Sequence, residues 1–430
     1  MSAKETIKTI IKDFHSKKLK ESFSRTTDIP INTGIVISII GARRSGKTYV
    51  LYETIKKLIK SGISKQKIIY LNFEDERLKL AQNELDLILQ AYSELFPNYD
   101  LENCHFFFDE IQNINGWEKF IRRLYDTISR NIYITGSNSK LLSTDIATEL
   151  RGRTITFTVY PLNFKEFLTF NKTKPDYYQS NNKIKIIQLL REFMKFGGFP
   201  ELVKQKESIK ILKLQDYFNS VIYKDLIERY QISNPGIIKF FLKKIYNNVT
   251  KPLSVNKIYN HIKSMGYKIG NNILYDYLDY TQASFAVLTL KKFDFSMLKQ
   301  EKSEKKAYSI DNGFLSAIDY SLSQNYGKLF ENMIALELLK WGKEVMYFKE
   351  NKECDFIIKD KNKLYALQAS YNIDNDDTRK RELEGLHAAC KSLKLNSGKI
   401  ITFEQEEKLT YKGIDIEIVP AYKFMTDAKI

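Results

Sequence analysis

The residues best suited to chemistry form one short run, Gly41 to Thr48, which fits the pattern G-x-x-x-x-G-K-[ST] in full. Glycines permit backbone angles that turn successive N–H groups towards bound phosphates. Lys47 supplies a positive charge for the β- and γ-phosphates, and the Thr48 hydroxyl is a ligand for Mg²⁺. The run therefore predicts a site for ATP with Mg²⁺, made of Gly41, Ala42, Arg43, Arg44, Ser45, Gly46, Lys47 and Thr48.

Two consecutive acids follow a second apolar run, His105–Phe108. Asp109 is placed to hold Mg²⁺ through water, which suits the octahedral shell of that ion. Glu110 is placed to act as the base that polarises the attacking water. The two acids could instead only cap the next helix, but the phosphate-binding run upstream favours the catalytic interpretation.

Several further polar residues are weaker candidates. Ser137, after a predicted strand, can sense the γ-phosphate or can simply belong to an ordinary turn. Asn72 can tether Glu110 when nucleic acid is absent. Arg151 and Arg153 offer the cation that phosphoryl transfer requires, as an arginine finger from a neighbouring subunit, which implies a homo-oligomer. They could also be surface arginines in a turn.

The elements around these residues alternate between strands and helices. Continuous apolar runs are typical of strands buried on both faces of a parallel sheet, and helical patterns lie between them. The fold class is therefore α/β, with a parallel sheet of the P-loop type in the first part of the chain. The predicted strands are Ile35–Ile40, Ile68–Phe73, His105–Phe108, Ile132–Thr135 and Thr154–Tyr160.

Changes of pattern divide the chain. An amphipathic helical lead-in occupies residues 1–34, and the nucleotide-binding domain occupies residues 35–165. A helical region follows at 166–250. Two short helices and a pair of strands at 251–320 have the outline of a winged helix, and residues 321–430 return to mixed α and β.

Charge indicates a possible partner. The formal net charge is +16, and residues 204–300 hold 16 Lys and Arg against 7 Asp and Glu, a net +9. Such a balance is typical of contact with DNA, although a lysine-rich composition that only solvates the surface would look the same. The candidate DNA-binding residues are Lys263, Lys268, Lys291 and Lys292.

Composition excludes other classes. The chain is 43% hydrophobic and 28% charged, as in ordinary globular proteins. Its three cysteines form no C-x-x-C pair, so neither a zinc site nor a disulfide framework is expected, and Cys104 and Cys354 are expected to be packed thiols. The N-terminus lacks the apolar segment of a signal peptide, and the apolar run nearest to it is too short to span a bilayer. We therefore expect a cytoplasmic protein with no membrane partner.

Taken together, these motifs resemble the AAA-type ATPases of bacteria and archaea, of the AAA+ superfamily, that pair a P-loop domain with a C-terminal domain of uncharacterised function. The resemblance continues beyond the nucleotide site, in Tyr70–Arg77, Tyr160–Phe167, Phe196–Pro200 and Asn325–Asn332. It implies an AAA+-like sheet, a winged-helix segment and a restriction-endonuclease-like C-terminal fold.

The last of these folds raises the question of DNA cleavage. The resemblance implies the residue pattern of nucleases of that fold, which is Glu, then Asp, then Glu-x-Lys. Glu331 and Asp355 could fill the first two places. Gln368 and Ser370 stand where the second Glu and the Lys are needed. Because Mg²⁺ favours anionic oxygen ligands, we expect a catalytically lost nuclease fold.

The sequence thus predicts an ATP hydrolase that couples nucleotide state to DNA binding or remodelling. The alternatives are a nucleotide-switched signalling or assembly ATPase without a DNA role, and, less favoured, an ATP-coupled nuclease.

Overall fold

A computed structural model of the chain describes residues 2–19, 23, 25–139, 150, 152–318 and 325–427. The chain divides into two units. One consists of Met1–Tyr160 with Ala283–Phe285, and the other of Pro161–Gln282 with Ala286–Ile430. The helical, winged-helix and C-terminal segments predicted from the sequence therefore lie almost wholly in one unit.

The first unit is a parallel sheet covered by helices. Its described elements are, in chain order, α1 (Ala3–Ser16), β1 (Val36–Ile40), α2 (Lys47–Lys60), β2 (Ile68–Asn72), α3 (Leu87–Leu95), β3 (His105–Asp109), α4 (Trp117–Thr127), β4 (Ile132–Gly136) and β5 (Thr154–Thr158). The five strands are parallel and lie in the order β2-β3-β4-β1-β5.

The register of this sheet positions the candidate site. Strands β1, β3 and β4 are buried along their whole length, as the continuous apolar runs predict. Strand β5 is partly exposed because it forms the edge of the sheet. Ile40 pairs with Gly136, and Asn72 pairs with Asp109. Because parallel strands end at a common edge, the residues that follow β1, β2, β3 and β4 meet there.

The amphipathic lead-in is confirmed as helix α1. Its residues Ile7, Ile10 and Ile11 are buried, and the Phe14 ring stacks on the Tyr70 ring with centroids 5.2 Å apart. Lys65 donates to the carbonyls of Phe14 and His15, at 3.0 and 2.9 Å, and so caps the end of the helix. The lead-in is therefore fixed to the sheet near β2.

The second unit begins with helices and continues into a mixed sheet. Its helices are α5 (Phe164–Phe170), α6 (Ser180–Phe196), α7 (Glu207–Ser220), α8 (Pro235–Asn247), α9 (Val255–Ser264), α10 (Asn271–Ala283), α11 (Met297–Lys302), α12 (Asn312–Ile318), α13 (Tyr326–Lys340), α14 (Asp376–Leu393) and α15 (Ala421–Asp427), and Val221–Glu228 extends α7 as a π-helix. Its strands are β6 (Val287–Lys292), β7 (Lys306–Ser309), β8 (Glu344–Lys349), β9 (Glu353–Asp360), β10 (Lys363–Ala369), β11 (Ser397–Thr402), β12 (Glu407–Tyr411) and β13 (Ile414–Pro420).

The predicted wing belongs to a larger sheet. Strands β6 and β7 form the expected antiparallel pair. Lys291 and Lys292, however, also pair in parallel with Met346 and Tyr347 of β8. The two helices and the pair of strands are therefore as predicted, and the winged helix stays a prediction. The pair also belongs to a sheet of eight strands in the order β12-β13-β11-β10-β9-β8-β6-β7, because β6 pairs with β8, which local patterns do not reveal.

The Phe196–Pro200 motif has a packing role in this unit. Gly197 has a φ of 72°, and a Cβ atom there would overlap the Asp311 carboxyl group. That carboxyl accepts hydrogen bonds from the N–H groups of Gly198, at 2.7 Å, and Gly313, at 2.8 Å. Burial raises the pKa of Asp311 to about 6. Gly197 is thus required because a buried acid lies directly against the backbone, whereas a Cβ atom at Gly198 would overlap the Leu162 carbonyl oxygen.

The fold class is confirmed: a parallel P-loop-type sheet precedes a helical region and a C-terminal α/β sheet. All three cysteines are buried and free, as expected of packed thiols. None of the described helices combines the length and the apolar character that crossing a bilayer requires.

Candidate functional site

The Gly41–Thr48 loop joins β1 to α2, which begins at Lys47. Gly46 precedes the helix in the left-handed conformation, with a φ of 101°. Gly41 has a φ of 156°, and a Cβ atom there would overlap the carbonyl oxygen of Val159. Both glycines are therefore required by the backbone, which brings the first turn of α2 to the carboxyl edge of the sheet.

The loop contains a buried hydroxyl that lacks a partner. Within the described part of the chain, the Ser45 side-chain oxygen is buried and makes no hydrogen bond. Arg25 holds the loop from outside, since it donates to the carbonyls of Ser45, at 3.0 Å, and Tyr160, at 2.7 Å. Arg43 pairs with Glu74, with Nη1 and Oε1 2.5 Å apart. The loop is thus braced, while its interior keeps one unsatisfied polar atom, as expected of a phosphate-binding cradle.

Lys47 lies almost completely buried beneath this loop, with 4% of its surface exposed. Its ammonium donates to the carbonyls of Gly41 and Ala42, both at 3.2 Å, and pairs with Glu110 Oε1 at 3.0 Å. Two carbonyls and one carboxylate therefore satisfy its three donors. A phosphate that replaced the Glu110 carboxylate would find the ammonium already held in place.

Asp109 ends β3 and is fully buried. Its Oδ1 accepts from the Thr135 hydroxyl at 2.5 Å, and its Oδ2 accepts from the Tyr70 hydroxyl at 3.0 Å. The Thr48 hydroxyl also bonds to this carboxyl group. Burial and the neighbouring charge of Glu110 raise the pKa of Asp109. Thr48 and Asp109, the two predicted Mg²⁺-binding residues, are thus in direct contact.

Glu110 follows in the left-handed region, with φ 52° and ψ 47°. Its N–H donates to Thr135 Oγ1 at 2.8 Å, which holds this unfavourable backbone conformation. Burial by itself would raise the pKa of Glu110, but the Lys47 charge and the Gln112 hydrogen bond outweigh burial and lower it. The carboxylate is therefore ionised, as a general base must be.

Gln112 is a site residue that the sequence reasoning missed. Its Nε2 donates to Glu110 Oε2 at 2.6 Å and to Ser137 Oγ at 3.4 Å. It therefore links the predicted base to the predicted γ-phosphate sensor, which is itself buried. The sequence shows the spacing Asp109-Glu-Ile-Gln112. It does not show the 3₁₀ turn at Ile111–Asn113, which directs the Gln112 amide back towards Glu110.

The predicted tether between Asn72 and Glu110 is not present. The Asn72 side-chain oxygen accepts from the Glu74 N–H at 2.9 Å, while Lys47 and Gln112 hold Glu110. The carboxylate turns towards the loop because the Lys47 ammonium is the stronger partner for it.

Arg153 lies far from the P-loop of its own subunit. It directly precedes β5, pairs with Asp126 at 2.5 Å and stacks over the Tyr125 ring. The Arg153 carbonyl accepts from the N–H of Val36, the first residue of β1. The P-loop follows Ile40, the last residue of β1, and therefore lies at the opposite edge of the sheet. One strand length of about 16 Å separates the two edges. Arg151 lies outside the described residues.

The predicted DNA-binding lysines lie on two different features. Lys263 and Lys268 are exposed, at the end of α9 and in the turn before α10. Lys291 is exposed and forms an ion pair with Glu301, and Lys292 is half-buried in strand β6.

The four positions of the expected nuclease pattern lie in the second unit. Glu331 and Asp355 both contact the ammonium of Lys306, at 3.3 Å each. Gln368 accepts from the Asp355 N–H at 3.0 Å, and the Ser370 hydroxyl donates to the Asn372 carbonyl at 3.2 Å. Three of these positions are therefore linked, and Ser370 makes a local turn contact.

Comparisons with known proteins agree with this geometry. A family model described as an AAA domain matches residues 33–168, and two domains of unknown function match residues 187–325 and 326–424. An uncharacterised protein of Methanocaldococcus jannaschii is 37% identical over 429 residues, covering 96% of this chain and 93% of that protein. An uncharacterised protein of Haemophilus influenzae is 31% identical over 387 residues, covering 90% and 93%. A solved Walker-type ATPase of Pyrococcus abyssi is 15% identical, with a TM-score of 0.45 over 74% of this chain and 95% of that one, which is too distant to carry an inference.

The hydroxyl of Tyr70 gives a first test of the site. Tyr70→Phe removes the donor that orients Asp109 Oδ2, so the contribution of Mg²⁺ to nucleotide affinity should fall by about 10-fold, as for other residues that orient metal ligands. Calorimetric titration with ATP, with and without Mg²⁺, measures this contribution. Tyr52→Phe is the matched control, because the Tyr52 hydroxyl contacts Tyr70 at 3.4 Å but not Asp109. An unchanged Mg²⁺ contribution in Tyr70→Phe would remove Tyr70 from the site.

Proposed function

Because this chain belongs to the same family as these archaeal and bacterial proteins and carries an AAA domain, we propose that it binds ATP with Mg²⁺ at the Gly41–Thr48 loop and hydrolyses the bond between the β- and γ-phosphates. The observation that carries the proposal is the buried contact between Lys47 and Glu110, 3.0 Å long, beside Asp109 and Thr48. A phosphate-binding cation, a base and a pair of Mg²⁺-binding oxygens thus share one edge of the sheet.

Each residue has a defined task in this reaction. The loop N–H groups and Lys47 bind the phosphates. Thr48 and, through water, Asp109 would hold Mg²⁺, which would neutralise charge on the phosphate oxygens. Glu110 takes a proton from the attacking water as its general base. Ser137, linked to Glu110 through Gln112, is placed to report the state of the γ-phosphate.

Glu110, the proposed base, contacts Lys47, the proposed phosphate-binding lysine, at 3.0 Å. Binding of ATP must transfer Lys47 from Glu110 to the phosphates. The same event frees Glu110 for water and leaves Gln112 to orient it. In this way the base becomes available only when substrate is present.

Two substitutions separate binding from turnover. Lys47→Ala should weaken ATP binding by roughly 100-fold or more, since hydrogen bonds to charged groups contribute about 1.5–3 kcal/mol each. Glu110→Gln should keep ATP binding but slow hydrolysis by at least about 100-fold, because the base is lost. Calorimetry and phosphate release measure the two effects. The controls are Lys56→Ala, on the same helix, and Glu102→Gln, an exposed acid.

Opposite outcomes would be informative for each residue. ATP affinity in Lys47→Ala equal to that of the wild type would refute the site. Undiminished hydrolysis in Glu110→Gln would show that another group is the base, and loss of binding would place Glu110 in the metal shell.

We further propose that Arg153 acts across a subunit boundary as an arginine finger, in a homo-oligomer. Its place at the opposite edge of its own sheet supports action in trans, because one strand length separates it from its own P-loop. Arg151 remains the alternative for the same role.

Mixing of variants tests this assignment. Arg153→Ala should impair hydrolysis more than binding, and a mixture with Lys47→Ala should recover part of the activity, because each subunit supplies what the other lacks. Arg130→Ala is the matched control, since Arg130 stacks over the same Tyr125 ring. No recovery in mixed oligomers, shown by cross-linking to form, would exclude a finger in trans.

A coupled role in DNA binding is supported by charge. Residues 204–300 carry a net +9, and Lys263 and Lys268 are exposed. Lysines contact phosphates as point charges and release counterions, so the contacts should be strongly salt-dependent and carry little sequence preference. The alternative is a signalling or assembly ATPase that does not bind DNA.

Charge reversal at these two positions decides between the roles. The double variant Lys263→Glu with Lys268→Glu should weaken DNA binding and reduce the slope of log K against log salt by about 2. ATP affinity should not change. The control, Lys363→Glu with Lys391→Glu, makes the same change of charge at other exposed positions. Fluorescence anisotropy against salt gives the slope, and a wild type that binds no DNA even at low salt would favour the signalling role.

A further inference from the structure

A single lysine lies at the centre of three carboxylates in the second unit. Lys306, in β7, is 1% exposed. Its ammonium lies 2.7 Å from Glu353 Oε1, 3.3 Å from Glu331 Oε1 and 3.3 Å from Asp355 Oδ1. The acids come from α13 and from the start of β9, so residues far apart in the chain converge on one cation.

Neighbouring groups fix the orientation of these carboxylates. The Tyr308 hydroxyl donates to Glu331 Oε1 at 2.9 Å, and the Ala369 N–H donates to Asp355 Oδ2 at 3.1 Å. The Asp355 N–H is in turn held by Gln368. Three carboxyl oxygens therefore point at one centre, and carboxyl oxygens are ligands that Mg²⁺ and Mn²⁺ take in proteins.

The charge balance of this cluster depends on the ammonium. Burial by itself would lower the pKa of Lys306, but Tyr308 and the surrounding carboxylates outweigh burial and hold it well above its ordinary value. Burial, with Asp355, raises the pKa of Glu331 to about 8. Removing the lysine would leave buried carboxylates without a counter-ion, which is strongly unfavourable.

Lys349 also pairs with Glu353, at 3.0 Å from Oε2, but its side chain is half exposed, whereas Lys306 is buried. Across the described ranges, no group of three or more His, Cys, Asp and Glu residues is arranged to hold a metal ion. The Lys306 ammonium lies between the three carboxyl groups, at the place that a metal ion would otherwise occupy.

We propose that the Lys306 ammonium is a permanent internal substitute for a divalent cation, so that the wild-type cluster binds no metal and becomes a divalent-cation site when the ammonium is removed. It follows that the second unit does not cleave DNA by a metal-dependent route. The Gln at position 368, where the nuclease pattern has a carboxylate, is a second reason. The inference concerns the second unit alone and does not depend on ATP hydrolysis.

The test is the variant Lys306→Met in the full chain, which removes the charge and keeps most of the side-chain volume. It should melt well below the wild type without metal. Millimolar Mn²⁺ should raise its Tm by roughly 5 °C, because a ligand that binds only the folded state stabilises that state. Calorimetry should detect one Mn²⁺ per chain. The wild type and Lys306→Arg, which keeps the charge, should bind no Mn²⁺ at this site.

Two further variants make every outcome decisive. Lys343→Met removes a partly exposed ion pair with Asp360 and should give no response to Mn²⁺. If Lys306→Met does not fold, Lys306→Met with Glu331→Gln removes one buried charge, and it should fold and bind Mn²⁺ more weakly. The proposal is overturned if a folded Lys306 variant binds no Mn²⁺, if neither variant folds in Mn²⁺ while Lys306→Arg does, or if the wild type binds Mn²⁺ through Glu331.

Discussion

The buried contact between Lys47 and Glu110 is the interaction on which the nucleotide site depends. An isolated charge at either position would be strongly unfavourable, because both side chains are buried from solvent. The two charges, 3.0 Å apart, make each other tolerable. The pair also determines the ionisation of Glu110, whose pKa burial alone would raise. In the proposed reaction, substrate phosphates would replace Glu110 as the partner of the lysine.

The parallel sheet explains why these residues meet. Each strand from β1 to β4 ends at the same edge, and the residues that follow them supply the loop, Asp109, Glu110 and Ser137. Strand β2 contributes differently, through Tyr70 within the strand, whose hydroxyl reaches Asp109 and whose ring lies under α1. The lead-in helix is thereby in physical contact with the residue that donates to Asp109.

The sequence was sufficient for the parts of this site that are local. The P-loop, the two acids after β3 and the order of strands and helices follow from spacing and apolar runs. Gln112 was not identified because its contact with Glu110 depends on a local 3₁₀ turn. Tyr70 and Arg25 were not identified as site residues, because their roles arise from contacts across the fold. The Asn72 tether was wrong for the same reason, since a lysine far away in sequence competes for Glu110. The wing was assigned from local pattern, while pairing with β8 made it part of a sheet, and Lys306 became notable only once its three acids were seen together.

Two buried lysines, Lys47 and Lys306, form ion pairs with carboxyl groups, and we propose that the first pair is exchangeable and the second permanent. The Lys306 ammonium pairs with three carboxyl groups, whereas the Lys47 ammonium contacts two carbonyls and one carboxylate. We propose that nucleotide displaces Glu110 from Lys47, which a crystal structure with Mg²⁺ and a non-hydrolysable ATP analogue would test. We expect Lys47 to contact the phosphates and Glu110 to lie out of contact with Lys47. An analogue bound while the Lys47–Glu110 contact stays at 3.0 Å would contradict it.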